Sequence, residues 1–190
     1  MAADPARPFE GNAPEIEAAF EAAPPEVVAE ILDGVLHVNP RPMPRHARAS
    51  SRLGQTLAPI DTAAGGWVIL PEPELHLGLQ PDKLAPDLAG WRRERLPALP
   101  AGAAITVAPD WVCEVLSTRT ERADRGPKMR IYRRERVGHV WLLNPEAQTL
   151  EVYRNDGRWW SFLDSHEGDA SVRAEPFDAI ELDLTHLWAW

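Results

Sequence analysis

Residues 109–117 read PDWVCEVLS, and the fold turns on how this stretch is read. Trp111, Val112, Cys113, Val115 and Leu116 are apolar at both parities. Side chains alternate across a strand, so the stretch predicts a β-strand covered on both faces. Glu114 then shares a face with Val112 and Leu116. Burying an unpaired carboxylate costs several kcal/mol unless it is neutralised or finds a cation. The strand therefore asks for a partner to Glu114 elsewhere in the chain.

A length of 190 residues suits one compact domain with a real core. Hydrophobic content of 44% and charged content of 26% fall in the ordinary globular range. The start, MAADPARPFEGN, lacks the apolar region of a signal peptide. No apolar run is long enough for a membrane span, so no membrane partner and a cytoplasmic location are expected. The single cysteine, Cys113, rules out an internal disulfide and a cysteine-based zinc cage.

The net charge of −9 argues against loose, nonspecific nucleic-acid binding. Its distribution is uneven. Residues 1–36 hold eight acidic groups and one basic, and residues 144–190 hold ten and three. Between them, RPMPRHARASSR (41–52) has four arginines and no acid, and residues 117–136 have eight basic groups and three acidic. Such runs read as solvated helix faces or as phosphate-contacting surfaces.

Residues 1–13 are expected to form a mobile leader. A short helix is expected over 14–24, closed by Pro24 and Pro25. Residues 26–40 predict a hairpin turning at Asp33-Gly34. A helix follows with Ala49, Leu53, Leu57 and Ile60 at helical spacing. One or two strands are expected over 65–78, a short strand at 85–91, and the 105–117 segment leading into the opening strand. Residues 118–137 read as a loop and a helix starting near Gly126, with Pro127 in its first turn. HVWLLN (139–144) is a buried strand, 149–163 a hairpin around Asn155-Asp156-Gly157, and 178–190 a short strand with an apolar terminal turn. The order is mixed α and β, with helices before and after a core of strands.

Three charged groups fall where charge is costly: Asp87 in APDLAGW, Glu114, and Lys128 at the start of the helix. Lys128, Ile131, Tyr132 and Glu135 share a helix face, which aims Lys128 at the sheet. Two carboxylates on neighbouring buried strands supply oxygen ligands for a hard divalent cation such as Mg²⁺. A nearby ammonium can orient water or screen a phosphate. The structural readings stand beside these: Asp87 beginning a strand or bonding a turn amide, Glu114 neutralised by an arginine, Lys128 paired with Asp124 one turn back. His46 reads as an ordinary surface histidine, with a contact to phosphate as the alternative, and Tyr132 reads as core. Ser117 has no GxSxG elbow and no neighbouring histidine, so it is a poor nucleophile.

The blocks APDLAGWRRERLP, APDWVCEVLSTRTERADRGPKMRIYRRERVGHVWLLNPEAQTLEVYR and AEILDGVL…PRPMPRH resemble the Uma-type family of restriction-endonuclease-like proteins, within the PD-(D/E)XK nuclease superfamily. The resemblance covers roughly residues 26–188. It implies an α/β (α+β) fold: a restriction-endonuclease-like central mixed sheet flanked by helices, with an N-terminal hairpin, in one domain over 14–190. Pro86-Asp87 matches the PD pair and Glu114 the acid of the (D/E)XK element. The third position of that element is Leu116, and Lys128 on the following helix matches the displaced lysine. Glu30 matches an acid of the N-terminal hairpin, a third metal ligand or an orienter of water; it reads equally as a solvent-facing strand acid. The resemblance implies a DNA endonuclease using Mg²⁺, for which Mn²⁺ can substitute, and a homodimer. Catalysis would fall to Asp87, Glu114 and Lys128, with metal held by Asp87, Glu114 and Glu30. Two alternatives remain open: a catalytically inactive DNA- or protein-binding module on a nuclease scaffold, and a hydrolase of another phosphate ester.

Overall fold

The computed structural model describes residues 8–62, 64, 66–79 and 82–189. Its elements run α1 (Ala13–Glu21), β1 (Val27–Leu32), β2 (Val35–Pro40), α2 (Pro44–Leu57), β3 (Trp67–Pro71), β4 (Glu74–Leu77), β5 (Asp82–Leu84), β6 (Leu88–Arg92), β7 (Ala104–Ile105) and β8 (Trp111–Val115). Then come α3 (Glu121–Ala123), a π-helical turn (Asp124–Lys128), α4 (Met129–Arg134), β9 (His139–Asn144), β10 (Thr149–Asn155), β11 (Trp160–Glu167), β12 (Ser171–Val172), β13 (Leu182–Asp183) and α5 (Thr185–Trp188). These elements make a mixed α+β architecture with an N-terminal hairpin. Most of the expected leader lies outside the described residues. At Phe9 the chain already pairs with Leu36 through two backbone hydrogen bonds of 2.8 and 3.1 Å.

β8 sits inside a six-stranded mixed sheet ordered β11-β10-β9-β8-β6-β3. All five of its residues are buried. Trp111, Cys113 and Val115 join one core with Ala49, Leu53 and Leu57 of α2, while Val112 and Leu116 join a second core with Ile131 and Tyr132 of α4. Trp111 makes edge-to-face contacts with Trp141 and Phe177 at 5.3 and 4.9 Å between ring centres. Glu114 is the one charged residue of the strand, on the α4 side.

The pairing of β8 with β9 is parallel, whereas β8 with β6 is antiparallel. Parallel neighbours cannot be joined by a tight turn and need a crossover lying on the sheet. Here the crossover is the helical run Glu121–Arg134, which lays Lys128 over the Glu114 face of β8. Helix begins earlier than the expected Gly126. Pro127 stands inside the run, where it offers no N–H to the helical ladder, and the backbone widens there into the π turn. The i,i+4 pair Asp124 and Lys128 at the ends of that turn is buried, 2% and 4% exposed.

Five of the remaining strands form a separate sheet, β2-β1-β5-β4-β7, and β12 pairs with β13 alone. One central sheet is expected from the sequence, and the difference lies in β5, a three-residue strand too short to show a periodicity. Through β5 the N-terminal hairpin becomes part of a sheet, so β1 is an interior strand. The hairpin turn uses Asp33 and Gly34 at φ 51° and 76°, the double positive-φ geometry that Asp-Gly favours. α1 starts with a capping box, Asn12 and Glu15 bonding each other's backbone N–H at 3.1 Å.

Gly138 carries the chain from α4 into β9. A Cβ there would lie 2.9 Å from the carbonyl oxygen of Asp110, an atom held in place because it also accepts His139 N–H at 3.0 Å. Gly138→Ala is expected to cost about 1–3 kcal/mol, read as a shifted urea midpoint with unchanged slope.

Candidate active site

Four separate elements deliver charged side chains to one cleft of about 270 Å³. β1 brings Glu30, the residue preceding β6 is Asp87, β8 brings Glu114, and the π turn brings Asp124 and Lys128. All five line the cleft, together with His46 from the first turn of α2.

Lys128 is the hub. Its Nζ lies 2.9 Å from Glu30 Oε1, 3.1 Å from Glu114 Oε2 and 3.3 Å from Asp124 Oδ1. Glu30 Oε1 also accepts the backbone N–H of Ala85 at 3.0 Å. Glu114 Oε1 accepts the Tyr132 hydroxyl in a short hydrogen bond. The partner that Glu114 required is therefore an ammonium and a phenol, with no arginine among the described residues bonded to it. The Lys128–Asp124 pairing also exists, as one of three rather than as an alternative. Glu30, 3% exposed, is buried on an interior strand and not a solvent acid.

Asp87 stands apart from the lysine. Its Oδ2 accepts the backbone N–H of Val115 at 2.7 Å, which ties the loop before β6 to the end of β8. Its Oδ1 is in close hydrogen-bond contact with His46 Nε2. His46 is 9% exposed, a correction to its reading as a surface histidine. It stands three before Ala49 and seven before Leu53 on the buried stripe of α2, and that spacing is a usable signal. Asp124 was legible only as a lysine partner. Tyr132 does lie in the core, and its hydroxyl reaches into the site.

With all groups ionised, three carboxylates face one ammonium, leaving a net charge of −2 in a buried cluster. Burial pushes the Glu114 carboxyl well above the usual carboxylate range, Lys128 opposing the shift and the neighbouring acids adding to it. Burial likewise pushes Asp124 up to about 6. Burial alone would lower Lys128, but Glu114, Glu30 and Asp124 together raise it well above its ordinary value, so the ammonium stays charged. The Cys113 thiol is raised by burial and by Asp87 and Glu114, which keeps it a protonated core residue and not a nucleophile.

The raised Asp124 has a consequence for stability. A carboxyl with a higher pKa folded than unfolded binds its proton more tightly in the native state, so its contribution is full below about pH 4 and is lost as pH rises through about 6. The span is on the order of 3 kcal/mol. Asp124→Asn removes this slope. Urea midpoints in chelator from pH 4 to 7 should show the variant gaining on the wild type across that window, and parallel curves would refute it.

The chain matches the family model Uma2, described as "Putative restriction endonuclease", over residues 16–185. Among solved structures it is similar to a crystal structure described as a putative nuclease belonging to DUF820 from Anabaena variabilis, with 21% identity, a TM-score of 0.73, and coverage of 91% of this chain and 96% of that one. A search of curated proteins gave no match. No helix among the described residues is long and apolar enough to cross a membrane. The structural likeness concerns the fold, and the family match supports a nuclease function. A match over residues 16–185, which include every member of the acidic cleft, means that this chain belongs to the Uma2 family.

Proposed function

We propose that the protein is a metal-dependent endonuclease that hydrolyses DNA phosphodiester bonds, with its active site in the acidic cleft. The observation that carries this reading is the convergence of Glu30, Asp87 and Glu114 on one cleft beside a buried, charged Lys128. The donor set fits Mg²⁺: all three acids offer hard carboxylate oxygens, and the cluster holds excess negative charge. Mn²⁺ suits the same ligands. Among the described residues no three such groups converge in metal-binding geometry, and Lys128 stands between two of the acids. Binding the ion therefore calls for the ammonium to give up part of its contact with them.

The bound ion would supply a polarised water and charge neutralisation at the phosphate. The protein's own groups do the remainder. Val115 N–H and His46 hold both oxygens of Asp87 in place, so its carboxylate is oriented before any ligand arrives. Tyr132 fixes one oxygen of Glu114. Lys128 is the group placed to stabilise negative charge developing on a phosphate brought to the acids. The homodimer belongs to the same reading and rests on the family resemblance.

A noncatalytic binding module is the second reading. It is favoured by the salt-bridged state of the cluster, in which Lys128 already neutralises part of the charge a metal would answer to. Cleavage decides between them. Wild type should nick supercoiled plasmid or cut labelled oligonucleotides with Mg²⁺ or Mn²⁺ and stop in chelator. Asp87→Asn should abolish cleavage and keep the wild-type circular dichroism. DNA binding without turnover under any divalent ion would leave the module reading. Cleavage of small phosphodiesters but not of DNA would point to another phosphate-ester substrate.

A further inference from the structure

The cleft that holds the acids repels the phosphates it is read as cutting, so the substrate's backbone needs a cation at the mouth. The sequence offers two basic runs for this, but the structure commits most of those arginines elsewhere. Arg125 is bonded to Glu121 and Glu151, Arg130 to Asp33, and Arg134 to Asp33 and Asp82. Arg48 donates to Ala189 O at 2.7 Å.

Among the described residues, four long cationic side chains line the cleft: Arg41, Lys83, Arg119 and Lys128. Three are engaged. Arg41 donates to Pro25 O at 3.2 and 3.0 Å and lies 3.8 Å from Glu72. Lys83 is paired with Glu17 and sits 4.4 Å from the centre of the Phe20 ring. Lys128 is buried among its three acids. Arg119 is exposed and makes no hydrogen bond or ion pair with any described residue.

Its backbone, by contrast, is fixed. Ser117 O accepts the N–H of Thr120 at 3.2 Å and of Glu121 at 2.9 Å. The hydroxyls of Ser117 and Thr120 lie 2.9 Å apart. The turn holds Arg119 on the lip of the cleft, between the end of β8 that carries Glu114 and the helical run that carries Lys128. An anchored backbone with an uncommitted guanidinium beside an acidic pocket is suited to capture an oxyanion, because the planar fork gives two parallel N–H donors.

We propose that Arg119 is the residue that binds the substrate's backbone phosphate at the mouth of the acidic cleft. This rests on the nuclease reading above. Arg122 provides an internal control: three residues along, equally charged and exposed, with no partner among the described residues and no place in the cleft lining. Removing either arginine changes the net charge by the same amount, so a long-range electrostatic effect is common to both.

The experiment is binding of a fluorescein-labelled 20-mer, single-stranded and duplex, by anisotropy in Ca²⁺ across a salt series. The proteins are wild type, Arg119→Ala, Arg119→Lys and Arg122→Ala. Arg119→Ala should weaken binding by about ten-fold or more and flatten the log K against log salt slope by about one phosphate contact. Arg119→Lys should recover part of the loss, and Arg122→Ala should stay within about two-fold of wild type. Equal effects of the two alanine variants in a protein that binds DNA would overturn the role of Arg119 and leave the nuclease reading standing. Wild type that neither binds nor cleaves either oligonucleotide would overturn both.

Discussion

Lys128→Met is expected to destabilise the metal-free protein by about 3–5 kcal/mol at pH 7. Methionine keeps most of the lysine's stem volume, so the loss does not come from a cavity. It comes from stranding Glu30, Glu114 and Asp124, all at most 3% exposed, without the ammonium that now lies 2.9 to 3.3 Å from each. Taking away one partner of a buried ion pair costs more than the pair contributes net, because the surviving charge is left desolvated. Two further readouts separate this cause from general misfolding. Acidification should shrink the deficit, since Glu114 and Asp124 carry raised pKa values and take up protons readily once the lysine is gone. Millimolar Mn²⁺ should raise the melting temperature of Lys128→Met more than that of wild type, because the ion meets three acids with no internal competitor. A variant as stable as wild type at pH 7, with no pH-dependent gap, would mean the cluster is not held together by Lys128.

The features that made this cluster legible are those with a local signature. Glu114 stood out because five apolar neighbours demanded burial on both faces of β8. Lys128 followed from helical spacing with Ile131 and Tyr132. The Asp33-Gly34 turn and the α2 stripe followed from the same kind of local rule. What was missed depends on contacts distant in sequence. His46 and Asp87 are 41 residues apart, and no local pattern states that the first turn of α2 reaches the loop before β6. The separation of the hairpin-containing sheet from the six-stranded one hinges on β5, which pairs with β1 through a single register position, Ile31 with Lys83; three residues carry too little periodicity to announce a strand. The helix start was misplaced because Pro127 normally marks a first turn, and here the backbone absorbs it in a π turn. The basic runs misled in the opposite sense. Residue counts showed charge without showing that Glu121, Glu151, Asp33 and Asp82 already claim much of it.

Glu114→Gln should separate stability from activity more sharply than any other single change at this site. The glutamine fits: its carbonyl can accept from Lys128 and its amide can donate to the Tyr132 oxygen, so both neighbours keep a contact. Burial disfavours the charge on Glu114, so the neutral isostere relieves a desolvation cost at the same time as it removes one ion-pair partner of Lys128. Unfolding free energy at pH 7 should change by no more than about 1 kcal/mol, in either direction. Metal-dependent DNA cleavage should fall by about a thousand-fold or more, on the scale of losing a group that sets charge at the reacting phosphate. Calorimetric titration with Mn²⁺ should show the same split, with heat of binding in wild type and none in the variant. Lys128 gains freedom in Glu114→Gln, since one of its three anionic partners is gone, so loss of the lysine's position cannot be mistaken for loss of the ligand if Asp124→Asn, which frees the lysine to a similar degree, keeps its Mn²⁺ binding. Cleavage by Glu114→Gln at the wild-type rate would remove this carboxylate from the reaction and return it to the role of a buried counter-charge for Lys128.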